Sequence, residues 1–290
     1  MKFRTELKPE TFPFTLDPRR PVVAVGSCFA DNIAERMRRS MWVAENPFGT
    51  LFNPVSIADA IALALSSEAE SEFASTLFTD AQGIVHSRAF GSAFSGSSEE
   101  ECIRKFQNSA DRFRNLLTEG KIIFVTFGTA YVYTFRETGL IVGNCHKEPA
   151  TLFDRSRLSV EMIVKRWRET IADLRRDCPE LKVVFTVSPV RHKKDGLHAN
   201  TISKGILHIA VERLCEDIPD AFYFPAYELM IDDLRDYRFY ADDLVHPAAS
   251  GVEYIWEYLQ ETLLDDTGRD LVRRGEKEFK RGHHRPIIPD

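Results

Sequence analysis

The chain has 290 residues, of which 43% are hydrophobic and 28% charged, and this composition is typical of a water-soluble globular protein. A formal net charge of -6 gives no reason to expect nucleic acid or an anionic membrane as a partner. The five cysteines are widely spaced and include no CxxC pair, which argues against a disulfide framework and against a thiolate zinc site.

The N-terminal segment, MKFRTELKPETFPF, carries charges throughout and lacks the apolar centre of a signal peptide. No later stretch approaches the ~20 apolar residues that a membrane helix needs. We therefore expect a cytoplasmic protein without a membrane span. The simplest interpretation is a single domain over residues 1–265, followed by a basic helix and tail over 266–290.

From residue 21 onward, short apolar runs alternate with segments of helical period, a pattern typical of a parallel sheet covered by helices. The first predicted elements are a strand at 21–25, a helix at 31–40 and a strand at 41–44. After a loop, Asn53 is placed to cap a helix whose first residue is Pro54, where the missing amide hydrogen costs nothing. Residues 67–120 depart from this alternation and are predicted to be an insertion, with a hairpin over 76–90 followed by an amphipathic helix.

The alternation resumes at residue 121. The later predicted elements are a strand at 121–127, a hairpin at 131–146 within a second insertion of 131–157, a helix from 159, a strand at 181–187, a helix at 203–218, a strand at 221–224 and a helix at 254–264. Lys204 opens the helix at 203–218 and is expected to be solvated. Ser250 and Glu253 have the spacing of a capping box at the start of the last helix. The pattern predicts an α/β fold with five parallel strands.

Three side chains that follow predicted strands have the chemistry of a serine hydrolase. Ligand sites of open parallel sheets lie beyond the carboxyl ends of the strands. Ser27 follows the first strand directly, where the N-terminus of the next helix favours a developing anion. His246 is predicted to accept the Ser27 proton, and Asp243 to orient the imidazole. In isolation each of these residues is more often a turn residue or a helix-terminal charge, so the prediction depends on their joint position.

The run Gly26-Ser27-Cys28-Phe29-Ala30 resembles the signature of the GSCFA family, a bacterial group similar to the GDSL/SGNH hydrolases. The similarity extends over nearly the whole chain. The other segments that carry it are Phe3-Arg4-Thr5-Glu6-Leu7, Asn46-Pro47-Phe48-Gly49 with Asn53-Pro54, Asn144-Cys145-His146-Lys147, Ser188-Pro189-Val190-Arg191 and Asp243-Leu244-Val245-His246-Pro247.

The resemblance implies a flavodoxin-like, three-layer α/β/α sandwich of SGNH hydrolase type, in which a serine attacks an ester carbonyl. It also implies an oxyanion hole of three donors. The backbone amide of Ser27 is the first donor, and Gly49, after the second strand, is the second.

The third oxyanion donor is the point at which the chain departs from the SGNH pattern. That pattern is Gly-x-Asn-Asp after the third strand, whereas this chain has Ala130 in the asparagine position. Losing one oxyanion donor typically costs about 10²–10³ in turnover. Thr129 and Asn144 are the candidates to replace it, and Asn144 is equally well explained as a turn residue bonded to its own backbone.

Other polar residues near the predicted edge allow two interpretations each. Arg191 and His192 follow the fourth strand, where they either bind a carboxylate or phosphate of the substrate or form a surface loop. Cys28 as a thiol nucleophile is a weaker alternative to packing, and Cys145-His146 is a weak metal signal without a second ligand pair. The side chains before Asp243 either line an acyl or sugar pocket or pack within their loop: Tyr227, Tyr237, Arg238 and Tyr240.

We therefore predict a serine-dependent esterase that acts through an acyl-Ser27 intermediate and needs no cofactor and no metal. The expected partner is a small oxygen ester, with a short acyl group on a carbohydrate or lipid precursor. The same residues would serve an O-acyltransferase if a second alcohol intercepted the acyl-enzyme. Ala130 favours a third alternative, a non-catalytic protein that binds a small molecule in the same place.

Overall fold

A computed structural model describes residues 4–282 of the chain. Its strands are β1 (Val22–Gly26), β2 (Ala44–Glu45), β3 (Leu77–Thr79), β4 (Val85–Ser87), β5 (Ile122–Phe127), β6 (Tyr131–Phe135), β7 (Ile141–Val142), β8 (Phe153–Arg157), β9 (Lys182–Val187) and β10 (Ala221–Tyr223). Its helices are α1 (Cys28–Arg38), α2 (Pro54–Leu65), α3 (Ala69–Ala74), α4 (Glu99–Gly120), α5 (Val160–Asp177), α6 (Leu197–Asp217), α7 (Ala226–Glu228), α8 (Ala249–Leu263) and α9 (Asp266–Gly282).

Five parallel strands form the central sheet, in the order β2-β1-β5-β9-β10. The chain starts in β1, adds β2 on one side and then crosses to add β5, β9 and β10 on the other. A topological switch therefore lies between β1 and β5, and in sheets of this kind ligands bind beyond the carboxyl ends of the strands at that point. The predicted five-stranded parallel α/β fold is confirmed.

Helices cover both faces of the sheet, so the molecule is an α/β/α sandwich. Residues of α2, α4, α5 and α6 form one core with Val23 and Val25 of β1. Residues of α1, α8 and α9 form the other core with Val22 and Ala24. Because successive strand residues point to opposite faces, a continuous apolar run in β1 supplies both cores. The segment 67–120 contributes to this sandwich as well, since α4 packs against β1 and α2.

Two small antiparallel sheets stand beside the sandwich. The hairpin of β3 and β4 lies within the predicted 76–90 hairpin. The second small sheet has three strands, in the order β7-β6-β8, where the sequence predicted only a two-stranded hairpin. The third strand, β8, has an exposed run after Phe153 and therefore no apolar alternation that would have indicated it.

Several predicted boundaries are wrong, including the starts of α1 at Cys28 and of α8 at Ala249. The second strand begins at Ala44, because Met41 has a left-handed backbone (φ 59°) that a strand does not accommodate. The helix predicted from 203 begins six residues earlier, after Gly196. At α8 the N-cap residue is Ala248, which has no side-chain cap, so the predicted capping box does not form.

One predicted cap is confirmed, and the C-terminal segment contains a helix. Asn53 caps α2, its Oδ1 accepting the Ser56 N–H at 2.8 Å, and Pro54 is the first helical residue. The basic helix is α9, while the predicted tail at 283–290 lies outside the described residues. Within residues 4–282, no helix combines the length and apolar character that crossing a bilayer requires.

Candidate active site

Ser27 lies at the junction of β1 and α1, at the carboxyl edge of the central sheet. It is the N-cap residue of α1 and is 1% exposed. The junction requires Gly26, whose φ of 128° is left-handed and where a Cβ would stand 2.2 Å from the Thr126 carbonyl oxygen. The positive end of the α1 dipole therefore lies at this serine.

Asp243 and His246 are hydrogen bonded in the loop before α8. His246 Nδ1 lies 2.5 Å from Asp243 Oδ2, while Asp243 Oδ1 accepts the backbone N–H groups of Val245 at 2.9 Å and of His246 at 3.0 Å. Hydrogen bonds from the His246 and Val245 amides and from the imidazole hold the pKa of Asp243 below its usual range, so this carboxylate is charged at neutral pH. Because Nδ1 is occupied, Nε2 is the nitrogen left to act on a nucleophile.

The serine and the histidine are not in contact in this structure. Within residues 4–282, the buried Ser27 Oγ has no hydrogen-bond partner. His246, in contrast, exposes 45% of its side chain. The structure thus contains the Asp–His bond of the predicted triad and leaves the Ser–His bond unformed.

Both predicted oxyanion amides are occupied by backbone acceptors. The Ser27 N–H donates to the Thr126 carbonyl at 3.1 Å, and the Gly49 N–H donates to the Asn46 carbonyl at 3.2 Å. The first helical bond of α1 runs from the Ala30 N–H to the Ser27 carbonyl. Cys28 and Phe29 lie between Ser27 and Ala30, at the start of α1. Their N–H groups have no backbone acceptor within the helix and are the donors nearest to Ser27 along the chain.

Thr129 and Asn144, the two candidates for the third donor, are engaged elsewhere. The Thr129 hydroxyl lies 3.2 Å from Ser203 Oγ and accepts the Tyr131 N–H at 3.1 Å. Asn144 Oδ1 accepts the His146 N–H at 2.8 Å, which is the turn geometry that the sequence offered as its alternative role. The contacts of both side chains stabilise local backbone and do not include Ser27.

His192 connects the two halves of the candidate site. Its ring packs edge-on against Phe52, with 5.9 Å between ring centroids. Burial, followed by the nearby charge of Lys204, lowers the pKa of His192 to about 4, and His246 acts in the same direction. The charge of Asp195 and the nearby Gly128 backbone oppose this shift. His192 therefore lies near the Gly128 backbone and near the loop that carries His246. Its imidazole is neutral at physiological pH.

A cavity of about 460 Å³ lies beside the Asp243–His246 loop. Leu244 and Val245 of that loop line one side, and Arg191, Tyr237 and Tyr240 also line it. Burial raises the pKa of Tyr240, and the Arg191 charge acts against this shift. Within the described part of the chain, no carboxylate pairs with the Arg191 guanidinium. An unpaired guanidinium among aromatic rings is suited to bind an anionic group.

Lys204 is a residue of this region that the sequence reasoning placed wrongly in solvent. It is 1% exposed, and its Nζ donates to the carbonyl oxygens of Gly128 and Ser188, both at 2.6 Å. The signal was present in the helical period, because Lys204 is three residues before Leu207 and seven before Val211 on the buried face of α6. The early start of α6 places it in the second turn and not at an exposed first position.

The insertion contains a second Ser/His/Asp group that the sequence analysis did not identify. His86 Nε2 lies 2.9 Å from Asp80 Oδ2, and His86 Nδ1 lies 2.6 Å from Ser95 Oγ. The His86 side chain is only 12% exposed. The backbone N–H groups next to this serine are occupied, since that of Ser95 donates to Ser92 and that of Gly96 to Val85.

The two cysteine-based alternatives gain no support from the geometry. Burial raises the pKa of the Cys28 thiol, which disfavours the thiolate. His146 Nε2 donates to the carbonyl oxygens of Ser87 at 2.8 Å and Phe90 at 2.9 Å, so this nitrogen carries a proton. Within residues 4–282, no group of three or more potential ligand side chains is placed to hold a metal ion.

The fold and the residues at its edge define an α/β protein with a buried serine at a helix N-terminus and an Asp–His pair in the last loop. The model of the GSCFA family matches residues 21–259. The chain belongs to the GSCFA family.

Comparison with solved structures finds distant similarity over most of the chain. A Streptococcus pneumonia protein described as a candidate platelet activating factor is 12% identical, with a TM-score of 0.41 and coverage of 83% of each chain. The Clostridium thermocellum family 3 carbohydrate esterase is 8% identical, with a TM-score of 0.35 and coverage of 88% of this chain and 98% of that one. The Talaromyces cellulolyticus carbohydrate esterase of family 3 is 9% identical, with a TM-score of 0.36 and coverage of 89% and 99%. A comparison with curated proteins finds no match.

Proposed function

We propose that the protein is a serine-dependent hydrolase of small oxygen esters, with Ser27 as the nucleophile and His246 and Asp243 as its acid–base pair. The observation that carries the proposal is the 2.5 Å bond between His246 Nδ1 and Asp243, in a loop at the sheet edge where Ser27 begins α1. This bond leaves His246 Nε2 to accept a proton, and it keeps a negative charge behind the imidazole.

The reaction has two steps with the same acid and base. Ser27 Oγ attacks the ester carbonyl carbon while its proton moves to His246 Nε2. The carbon–oxygen bond to the alcohol then breaks, and the leaving alcohol takes that proton. Water next attacks the acyl-Ser27 ester and gives its proton to His246, and the released Ser27 oxygen takes the proton back as the free acid departs.

Because Ser27 and His246 are not hydrogen bonded, the proposed reaction requires the loop before α8 to move. Acylation requires His246 Nε2 to come within hydrogen-bond distance of Ser27 Oγ, and apo forms of such sites are often looser than the reacting complex. The exposed His246 side chain is free to make this approach. The developing oxyanion would be stabilised by the first amides of α1, which have no helical acceptor.

The cavity beside the loop indicates which esters fit. Its aromatic side chains can pack against an apolar or sugar-like group of the substrate. The unpaired Arg191 guanidinium can donate hydrogen bonds to a carboxylate or phosphate on that group. We therefore assign the leaving alcohol to the class of small anionic carbohydrate-like or lipid-like precursors that carry a short acyl group.

The test is covalent labelling together with turnover. Incubation with a fluorophosphonate probe should label Ser27, and p-nitrophenyl acetate should be hydrolysed faster than in a Ser27→Ala control. If the wild-type protein is neither labelled at Ser27 nor active above the control, the hydrolase proposal is wrong and the binding protein becomes the better explanation.

An O-acyltransferase is the second candidate, and the deep burial of Ser27 favours it because an acyl-enzyme at a 1% exposed position is sheltered from water. Addition of acceptor alcohols separates the two reactions. An acyl ester product that replaces the free acid identifies a transferase, whereas undiminished free acid identifies a hydrolase.

A further inference from the structure

Lys204 occupies an unusual position for a cation. Its ammonium group is buried between the ends of β5 and β9, and both of its hydrogen bonds go to neutral backbone carbonyls, those of Gly128 and Ser188. Within residues 4–282, no carboxylate forms an ion pair with it. The titratable groups that face it are Cys28 of α1, His192 of the loop after β9 and His208 of α6.

An unpaired buried ammonium destabilises a folded protein by several kcal/mol, and an apolar side chain of similar volume usually does not. A lysine with no acidic partner is therefore a poor choice if the position serves packing alone. The Lys204 ammonium group instead holds two backbone carbonyls, those of Gly128 and Ser188, beside the candidate site.

Gly128 forms one wall of the Ser27 pocket. A Cβ on Gly128 would stand 3.2 Å from Ser27 Cβ and 2.9 Å from the Phe52 carbonyl oxygen, so the backbone of Gly128 packs directly against the serine. The Gly128 N–H donates to the Phe52 carbonyl at 2.8 Å, and its carbonyl accepts from Lys204. The wall is therefore held at both backbone polar groups of Gly128, its N–H and its carbonyl.

Ser188 leads into the loop that carries Arg191 and His192. Its carbonyl accepts from the same Nζ, and its own N–H donates to the Phe127 carbonyl at 2.9 Å. One ammonium group therefore connects the wall of the nucleophile pocket to the loop that lines the substrate cavity.

We propose that Lys204 is a positioning residue of the Ser27 site, whose ammonium group fixes the Gly128 wall and the 188–192 loop in the geometry needed for acylation. This inference rests on the proposed function. It also provides a positive charge below the edge of the sheet, on a chain that has Ala130 where a third oxyanion donor is expected.

Burial lowers the pKa of Lys204 to about 7. The sign of the resulting pH dependence follows from the charged form being the active one. Relative to a variant whose charge does not titrate in this range, the wild-type acylation rate should fall as the pH rises through neutrality, because Lys204 loses its proton and with it the charge that holds the two carbonyls. An arginine does not deprotonate in this range.

The test compares Lys204→Met and Lys204→Arg with a matched control, Ser203→Ala. Ser203 holds the neighbouring Ala130 N–H at 2.8 Å from the same helix but carries no charge. The measurement is the rate of fluorophosphonate labelling of Ser27 from pH 5.5 to 9, with the melting temperature of each variant recorded in parallel.

We expect Lys204→Met to label about 10²-fold more slowly than wild type, since a wall displaced by ~1 Å costs about that factor. Lys204→Arg should recover part of the rate and lose the decline at alkaline pH. Ser203→Ala should lower the melting temperature while the labelling rate stays within about threefold of wild type.

Equal labelling of the wild type and of a folded Lys204→Met, with an unchanged pH profile, would overturn the positioning role and leave the hydrolase proposal intact. If Lys204→Met does not fold, an unchanged pH profile of Lys204→Arg overturns it in the same way. If the wild type itself is not labelled at Ser27, the proposed function and this inference both fall.

Discussion

Two Ser/His/Asp groups in one chain differ in how completely their hydrogen bonds are made. In the insertion, His86 is bonded to both Asp80 and Ser95, and the ring is nearly buried. At the sheet edge, within residues 4–282, the His246 ring is bonded to Asp243 only, and Ser27 Oγ has no hydrogen-bond partner.

The more complete group is the less suited to catalysis. Both ring nitrogens of His86 are satisfied, and the amides at Ser95 are occupied, so neither a base nor an oxyanion donor is left for a substrate. At the sheet edge, His246 Nε2 is available as a base, and the N–H groups at the start of α1 are available as oxyanion donors. A cavity lies beside this loop. Unsatisfied groups around the proposed triad, and not its bonds alone, therefore favour the sheet edge as the candidate site.

The largest expected effect separates the two serines. Ser27→Ala should abolish fluorophosphonate labelling and lower p-nitrophenyl acetate turnover by at least about 10³-fold, because the nucleophile is removed. Ser95→Ala should leave both unchanged. Labelling is read by intact-protein mass spectrometry, and loss of the label in Ser95→Ala with its retention in Ser27→Ala would reverse our assignment of the two groups.

The second largest expected effect separates Asp243 from Asp80, whose asparagine variants should differ in turnover. Asp243→Asn is expected to lower turnover by about 10⁴-fold, since the imidazole loses the partner that sets its tautomer. Asp80→Asn should keep its turnover but lower the free energy of unfolding, because His86 is left with a poorer acceptor. Turnover and chemical denaturation are measured on both variants, and a matching loss of turnover in both would contradict the distinction.

Arg191 provides a test of the cavity as the substrate site. Arg191→Gln should raise KM about 10-fold for esters whose alcohol carries a carboxylate or phosphate, because the charge-assisted hydrogen bond is lost. The KM for neutral esters should not change. The control is Arg238→Gln, which removes an exposed guanidinium that does not line this cavity. Equal KM changes for neutral and anionic esters would show that the Arg191 guanidinium does not distinguish anionic from neutral substrates.

The smallest effect concerns His192 and acid. Its pKa is depressed to about 4 in the folded protein against about 6.5 in an unfolded chain. It therefore contributes stability that is present above pH 6.5 and is lost as the pH falls toward 4, because the unfolded chain takes up the proton first. His192→Gln should flatten the dependence of the melting temperature on pH between 6.5 and 4, by a few degrees since about 1 kcal/mol corresponds to about 2–4 °C. An unchanged slope would show that His192 is not buried as described.

Predictability differed between elements for identifiable reasons. The strands β1, β5 and β9 have apolar runs that fill both cores, so they were predicted within a residue or two. The strand β8 is exposed along most of its length and was missed. Similarly, the family signature around Ser27 is local and was readable, whereas Ser95 reaches His86 only through the backbone bridge between Val85 and Gly96.

The class of fold, the family and the order of Ser27, Asp243 and His246 along the strands could be predicted from the sequence. These properties follow from the periodicity of apolar residues and from motifs that are contiguous in the chain. Only the tertiary structure decided which polar groups remain free. Ser27 without a partner, Arg191 without a carboxylate and Lys204 between two carbonyls all depend on groups far away in sequence. The helical period of α6 indicates that Lys204 is buried, but hydrogen-bond satisfaction is set by what the fold places next to a side chain, and no local pattern records that.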